Sequence, residues 1–235
     1  MSMTENKERI GAFTSSEIYR LCGKKELAEP ALTYIEEKQI EIRMNRSISV
    51  DAHSQAMAWG TFMEMFVFDK IGKEYIITSN LTDKHPTIEG WTGSKDLIVE
   101  GKKISDIKCY YPKKFAKYTD AMLIGDTEVL KAEFAKEYWQ LVSNAIINKV
   151  PNAEAITFMP YESELEEIRE MVRNYDNLAE LWKYRFIEES PKSALPYLPE
   201  NGYYKNINKF EFEVPKSDID FLTERVELAI KHLRP

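Results

Sequence analysis

The chain has 235 residues, 43% of them hydrophobic and 30% charged, and a net charge of −7. This composition excludes a disordered chain, and no apolar run approaches the ~18–20 residues that a membrane helix needs. The acidic balance argues against a nucleic-acid binder that is basic all over, but the charge is uneven. Six lysines and one acid (Asp106) lie between 102 and 117, whereas nine acids and four basic residues lie between 161 and 190. Either a face that meets phosphates or an ordinary solvated face has this pattern.

The polar start, Met1 to Arg9, has no apolar segment that would mark it for secretion. Cys22 and Cys109 are too few for a disulfide framework. Both features lead to the expectation of a reducing cytoplasm.

In chain order, Thr14, Ser15 and Ser16 are good caps for a short helix over 14–22. Glu29 to Met44 reads as a helix entered through Pro30, and Val50 to Lys70 as another that stops at Gly72. Strand-like pieces follow at Glu74–Ser79 and Ile88–Trp91, then two strong strands at Ser94–Val99 and Lys103–Tyr111. Residues 127–149 read as one helix, Ala153–Met159 as a buried strand, and 162–190 as a long polar-faced helix. Pro191, Pro196, Pro199 and Gly202 mark a loop, Lys209–Val214 alternates like an edge strand, and Ser217–Leu233 closes as a helix. The expectation is one α/β (α+β) domain over 1–235, with helices flanking a central mixed sheet. Its core covers about 9–160, and a helical and edge-strand part covers 161–235.

Chemistry concentrates on the two strong strands. A three-residue loop, Glu100-Gly101-Lys102, joins them, and a turn centred on Gly101 sets Asp96 opposite Asp106. Alternation puts Lys108 on the same side as Asp106, with Ile107 and Cys109 on the other. Like charges directly opposite are destabilising without a cation between them. Two carboxylates and an ammonium on one patch suit Mg²⁺ or Mn²⁺; a solvated hairpin surface is the other reading. Glu64 lies on the apolar stripe of the second helix, between Gly60, Thr61, Val67 and Phe68. A carboxylate there needs a partner, either a metal shared with the hairpin or a buried Lys or Arg. His53, His85 and His232 have no metal-ligand spacing. Tyr110, Tyr111, Phe115 and Tyr118 stand among the lysines, fit for base stacking or for core packing.

Ser94-Lys95-Asp96, nine intervening residues, then Asp106-Ile107-Lys108 resembles the PD-(D/E)XK nuclease signature. Trp59 to Glu64 resembles that superfamily's helix glutamate, and Lys136 to Gln140 its Gln-bearing helix. Arg9-Ile-Gly-Ala-Phe-Thr14-Ser-Ser16 is similar to a segment of the phage lambda exonuclease and YqaJ-like viral recombinase family. The matches run in order from Arg9 to about Asn144, with Lys95 where the family prefers proline and Asp106 where glutamate is commoner.

The resemblance implies a restriction-endonuclease-like core and a two-metal deoxyribonuclease. Asp96, Asp106 and the Ile107 carbonyl would bind one Mg²⁺ (or Mn²⁺), Asp96 would share a second, and Glu64 would complete the shell. Lys108 would orient or deprotonate the attacking water, its pKa lowered beside a metal. Arg9, Ser16, Ser94 and Gln140, with Thr14 beside them, would form a pocket for a terminal 5′-phosphate. Such a pocket makes a 5′→3′ exonuclease on linear duplex DNA ends, with the lysines, Lys113 and Lys114 among them, tracking the backbone. The family further implies phage-type recombination in a bacterial host cytoplasm, a single-strand annealing partner and a ring-shaped homotrimer. Two alternatives stay open: an endonuclease of the same superfamily in repair or restriction, and a non-catalytic DNA-binding subunit. The second would be expected to have lost an acid or the lysine, but Glu64, Asp96, Asp106 and Lys108 are all present.

Overall fold

The computed structural model describes residues 9–48, 54–78 and 81–233. Two sheets carry the fold. Strands β1 (Phe13–Thr14), β3 (Asp83–Lys84) and β4 (Trp91–Gly93) form a small sheet in the order β1-β4-β3. The larger sheet runs β2-β5-β6-β7-β8, from β2 (Ile76–Ile77), β5 (Leu97–Val99), β6 (Lys103–Lys108), β7 (Asn152–Phe158) and β8 (Ile207–Glu213). Only β6 and β7 pair in parallel there; the other neighbours are antiparallel. The helices are α1 (Glu29–Met44), α2 (Gln55–Phe68), α3 (Pro112–Ile124), α4 (Thr127–Glu133), α5 (Ala135–Asn148), α6 (Leu165–Arg173), α7 (Arg185–Glu189) and α8 (Lys216–Lys231).

The mixed sheet flanked by helices agrees with the expected fold class. Alternation on β6 divides the core: Ile104 packs with α5, β4 and α8 on one side, and Ile107 with α2 and α6 on the other. The expected hairpin register also holds. Leu97 pairs with Ser105 and Val99 with Lys103, and Gly101 takes φ +67° in the turn, a conformation that favours glycine.

Four local expectations change. Thr14 belongs to a strand beside Thr92, and the following helix shrinks to one 3₁₀ turn at Ile18–Leu21. The strong strand stops at Lys108, because Pro112 starts α3 as a first-turn proline and Gly125, at φ +73°, ends it. Phe115, Tyr118 and Met122 then point inward from α3, so two of the aromatics among the lysines are core. Residues 127–149 make two helices broken at Phe134, whose ring packs edge-on against Tyr118. The long helix over 162–190 ends at Arg173, where Asn174, Asp176 and Asn177 bring turn chemistry. His53 and part of the expected Val50 helix start lie outside the described residues. No helix among the described residues is long and apolar enough to cross a membrane.

Candidate active site

The site forms where the strand ends of β5 and β6 meet α2 and α5. One step beyond the last β5–β6 pair, the register sets Asp96 opposite Asp106. Asp106 is buried, and its Oδ2 lies 2.6 Å from Lys108 Nζ. Gln140 Nε2 donates to Asp106 Oδ1 at 2.8 Å, and Lys108 Nζ donates to Gln140 Oε1 at 3.3 Å. Asp96 Oδ2 accepts from the Ile107 N–H at 2.6 Å. Glu64 reaches the same cluster from α2 and makes no hydrogen bond or ion pair among the described residues. The buried lysine whose charge acts on Glu64 is Lys108, though the two make no hydrogen bond or ion pair among the described residues.

Three carboxylates thus share one ammonium. Burial, then the charges of Asp96 and Asp106, push Glu64 up to about 8 against the pull of Lys108. Burial and Asp106 push Asp96 up to about 7, opposed by Lys108 and the Ile107 N–H. For Lys108 burial works against the charge, but without a metal Asp106 and Asp96 outweigh it, so its pKa is raised.

Among the described residues, no set of three His, Cys, Asp or Glu side chains is placed to hold a metal ion. The geometry gives the reason: Lys108 occupies Asp106, and Asp96 is turned to a backbone N–H. The donor chemistry still fits a hard divalent cation, because these are oxygen ligands whose negative charge exceeds the one ammonium present. The Ile107 carbonyl belongs to the β6–β7 ladder region, so of its backbone only the N–H is seen to meet Asp96.

A cleft of about 440 Å³ opens onto Glu64, Lys108 and Gln140. Its far wall holds Lys114, whose Nζ is 2.8 Å from Glu137 and 3.9 Å from the Tyr110 ring centroid. Glu137 itself is held below the usual carboxylate range: burial opposes this, and hydrogen bonds from Lys114 and Tyr110 overcome it.

The residues expected around a 5′-phosphate divide. Thr14 and Ser16 bring their hydroxyls to 3.3 Å, and between them the Ser15 N–H donates to the Thr92 carbonyl at 2.9 Å. Ser94 meets α5 through its carbonyl, which accepts from Asn144 Nδ2 at 2.8 Å. Arg9 is exposed, its carbonyl accepting from Ala12 N. Gln140 sits on Asp106 and Lys108.

The lysine run also divides. Lys102 and Lys103 lie at the hairpin end of β6, and Lys113 to Lys117 lie beyond its other end, a strand length of ~17 Å away. Lys103 is tied to Glu154 and Glu211, Lys108 to Asp106 and Lys114 to Glu137, whereas Lys113 and Lys117 are exposed.

Sequence reasoning missed Ser15, whose Oγ lies 2.8 Å from Ser143 Oγ, itself bonded by Trp91 Nε1 at 2.8 Å. The signal was present: Glu137, Gln140, Ser143, Asn144 and Asn148 recur at intervals of about three or four residues along α5. That polar stripe ties the carboxylate cluster to the β1–β4 edge.

No protein-family model matches the chain, and no curated protein matches it. Its fold is that of solved exonuclease structures. An alkaline exonuclease from Laribacter hongkongensis aligns with a TM-score of 0.61 and 14% identity, over 96% of this chain and 89% of the other. The same enzyme in complex with dAMP aligns with a TM-score of 0.60 and 15% identity, covering 97% and 91%. A phage-related exonuclease from Haemophilus somnus 129PT gives 0.57 and 15%, covering 94% and 93%.

Proposed function

We propose that the chain is a divalent-metal-dependent DNA exonuclease that degrades linear duplex DNA from 5′ ends. One observation carries this reading. Glu64 and Lys108 line a cleft, Asp106 pairs with Lys108 behind it, and the charges of Asp96 and Asp106 act on Glu64, in a fold similar to that of alkaline exonucleases. Asp96, Asp106, the Ile107 carbonyl and Glu64 are the groups that would hold Mg²⁺ or Mn²⁺, up to two ions. Such an ion lowers the pKa of a bound water and offsets charge on the leaving oxygen.

The protein's own part is positioning. Lys108 is steered by Asp106 and Gln140 and presents a charged Nζ to a water or phosphate oxygen in the cleft. Gln140 keeps Asp106 and Lys108 in register, as its amide donates to one and accepts from the other. Thr14, Ser16, Ser94 and the exposed Arg9 are the groups that would bind a terminal phosphate, with the Thr14 and Ser16 hydroxyls already 3.3 Å apart. Lys113, Lys117 and the accessible side of Lys114 would follow the backbone. The recombination setting, the annealing partner, the trimeric ring and the host cytoplasm rest on the sequence resemblance alone.

Digestion of linear duplex DNA with Mg²⁺ tests the reading, comparing 5′-phosphorylated with dephosphorylated ends and using Asp106→Ala as control. Degradation that prefers the phosphate and is lost in the variant is the expected result. Cutting of closed circles without end preference would replace it with the endonuclease reading. Folded protein that cleaves nothing with either Mg²⁺ or Mn²⁺ would leave a DNA-binding subunit.

A further inference from the structure

Ser94, Lys95 and Asp96 lie between β4 and β5, outside both strands, where the chain crosses from the small sheet to the large one. Every backbone carbonyl of this crossover is held. Ser94 O accepts from Asn144 Nδ2 at 2.8 Å, Lys95 O from Thr78 Oγ1 at 3.1 Å, and Asp96 O from Thr78 N at 2.8 Å. The Lys95 side chain is buried, and its Nζ lies 2.6 Å from Asp83 Oδ2. Asp83 sits on β3 directly opposite Gly93, and Asn148 Nδ2 is also 3.5 Å from its Oδ2.

A half-buried ion pair of this kind is a poor source of stability, because desolvating the Lys95 ammonium cancels much of its attraction to the partly exposed Asp83. What the pair supplies is direction. Lys95 is drawn to Asp83 on β3, while the neighbouring Asp96 carboxylate meets the Ile107 N–H on β6.

We propose that the Lys95–Asp83 ion pair is a positioning device that sets the crossover backbone so that Asp96 reaches the carboxylate cluster. The proposal rests on reading that cluster as a metal site. Asp83 and Lys95 touch neither metal nor substrate; they act through Asp96.

The test is Mn²⁺ binding to the full chain without DNA, followed by electron paramagnetic resonance, with thermal unfolding measured in parallel. Asp83→Asn is expected to weaken Mn²⁺ binding about 10-fold or more, the usual effect of losing a group that orients a ligand. The double variant Asp83→Asn with Lys95→Met removes the buried unpaired charge. It is expected to recover thermal stability while Mn²⁺ binding stays weak. Unchanged Mn²⁺ affinity in Asp83→Asn would overturn the positioning role, as would recovery of affinity together with stability in the double variant. A wild-type chain that binds no Mn²⁺ would overturn the metal reading itself and this proposal with it.

Discussion

Asp96→Asn should stabilise the metal-free protein while removing a carboxylate of the proposed metal site. The substitution is nearly isosteric, and the amide oxygen keeps the bond from the Ile107 N–H. What it removes is a charge facing Asp106 in a buried setting that pushes the carboxyl up to about 7, from an ordinary value near 3.8. Three units at ~1.4 kcal/mol each set a ceiling of about 4 kcal/mol. Asp96 and Glu64 relieve one another, since protonating either lowers the charge on both, so about 2 kcal/mol is expected at pH 8. For a chain of this length that is a rise of about 4–8 °C in Tm. The sign follows from linkage. A carboxyl whose folded pKa lies above its unfolded one favours folding only while protonated, so wild-type stability falls as pH rises from about 4 toward 7. The advantage of Asp96→Asn should therefore be full at pH 8 and small at pH 4, near the ordinary carboxylate value. Thermal unfolding in a chelator at both pH values measures it. A variant that is less stable at pH 8, or equally displaced at both, would refute the charge-crowding argument.

Other expectations concern the surrounding framework. Glu154, buried on β7, receives hydrogen bonds from Tyr75, Ser105 and Lys103 at 2.7–3.2 Å; Glu154→Ala should cost about 3 kcal/mol in urea unfolding, and a loss below 1 would mean that these partners re-pair. A Cβ on Gly93 would meet Asn144 Oδ1 at 2.2 Å and Ser15 Oγ at 2.3 Å, so Gly93→Ala should lower stability by about 2 kcal/mol, and a neutral result would show that α5 can yield. Replacing Lys113 and Lys117 together by alanine should reduce the salt slope of duplex binding, measured in chelator, by about 2, whereas Lys103→Ala should leave it unchanged; the reverse order would put the DNA path at the hairpin end of β6.

The amino-acid sequence by itself determined the elements whose signals are local. Pro30 and the periodicity behind it define α1, and Gly101 between two apolar-rich strands defines a hairpin with Asp96 and Asp106 opposed. Glu64 stood out because a carboxylate on an apolar stripe needs a reason. Where competing local preferences existed, tertiary packing decided. Tyr110 and Tyr111 favour a strand, yet Pro112 and the burial of Phe115 and Tyr118 turn the chain into α3. Thr14 is a good cap, but pairing with Thr92 makes it a strand residue. Partner choice was invisible for a plainer reason. Lys95 and Asp83 are 12 residues apart, Ser15 and Ser143 are 128 apart, and Lys103 and Glu211 are 108 apart. A sequence lists charges and hydroxyls, but which of them meet, and so which lysines stay free for phosphates, depends on where two sheets and α5 bring distant segments together.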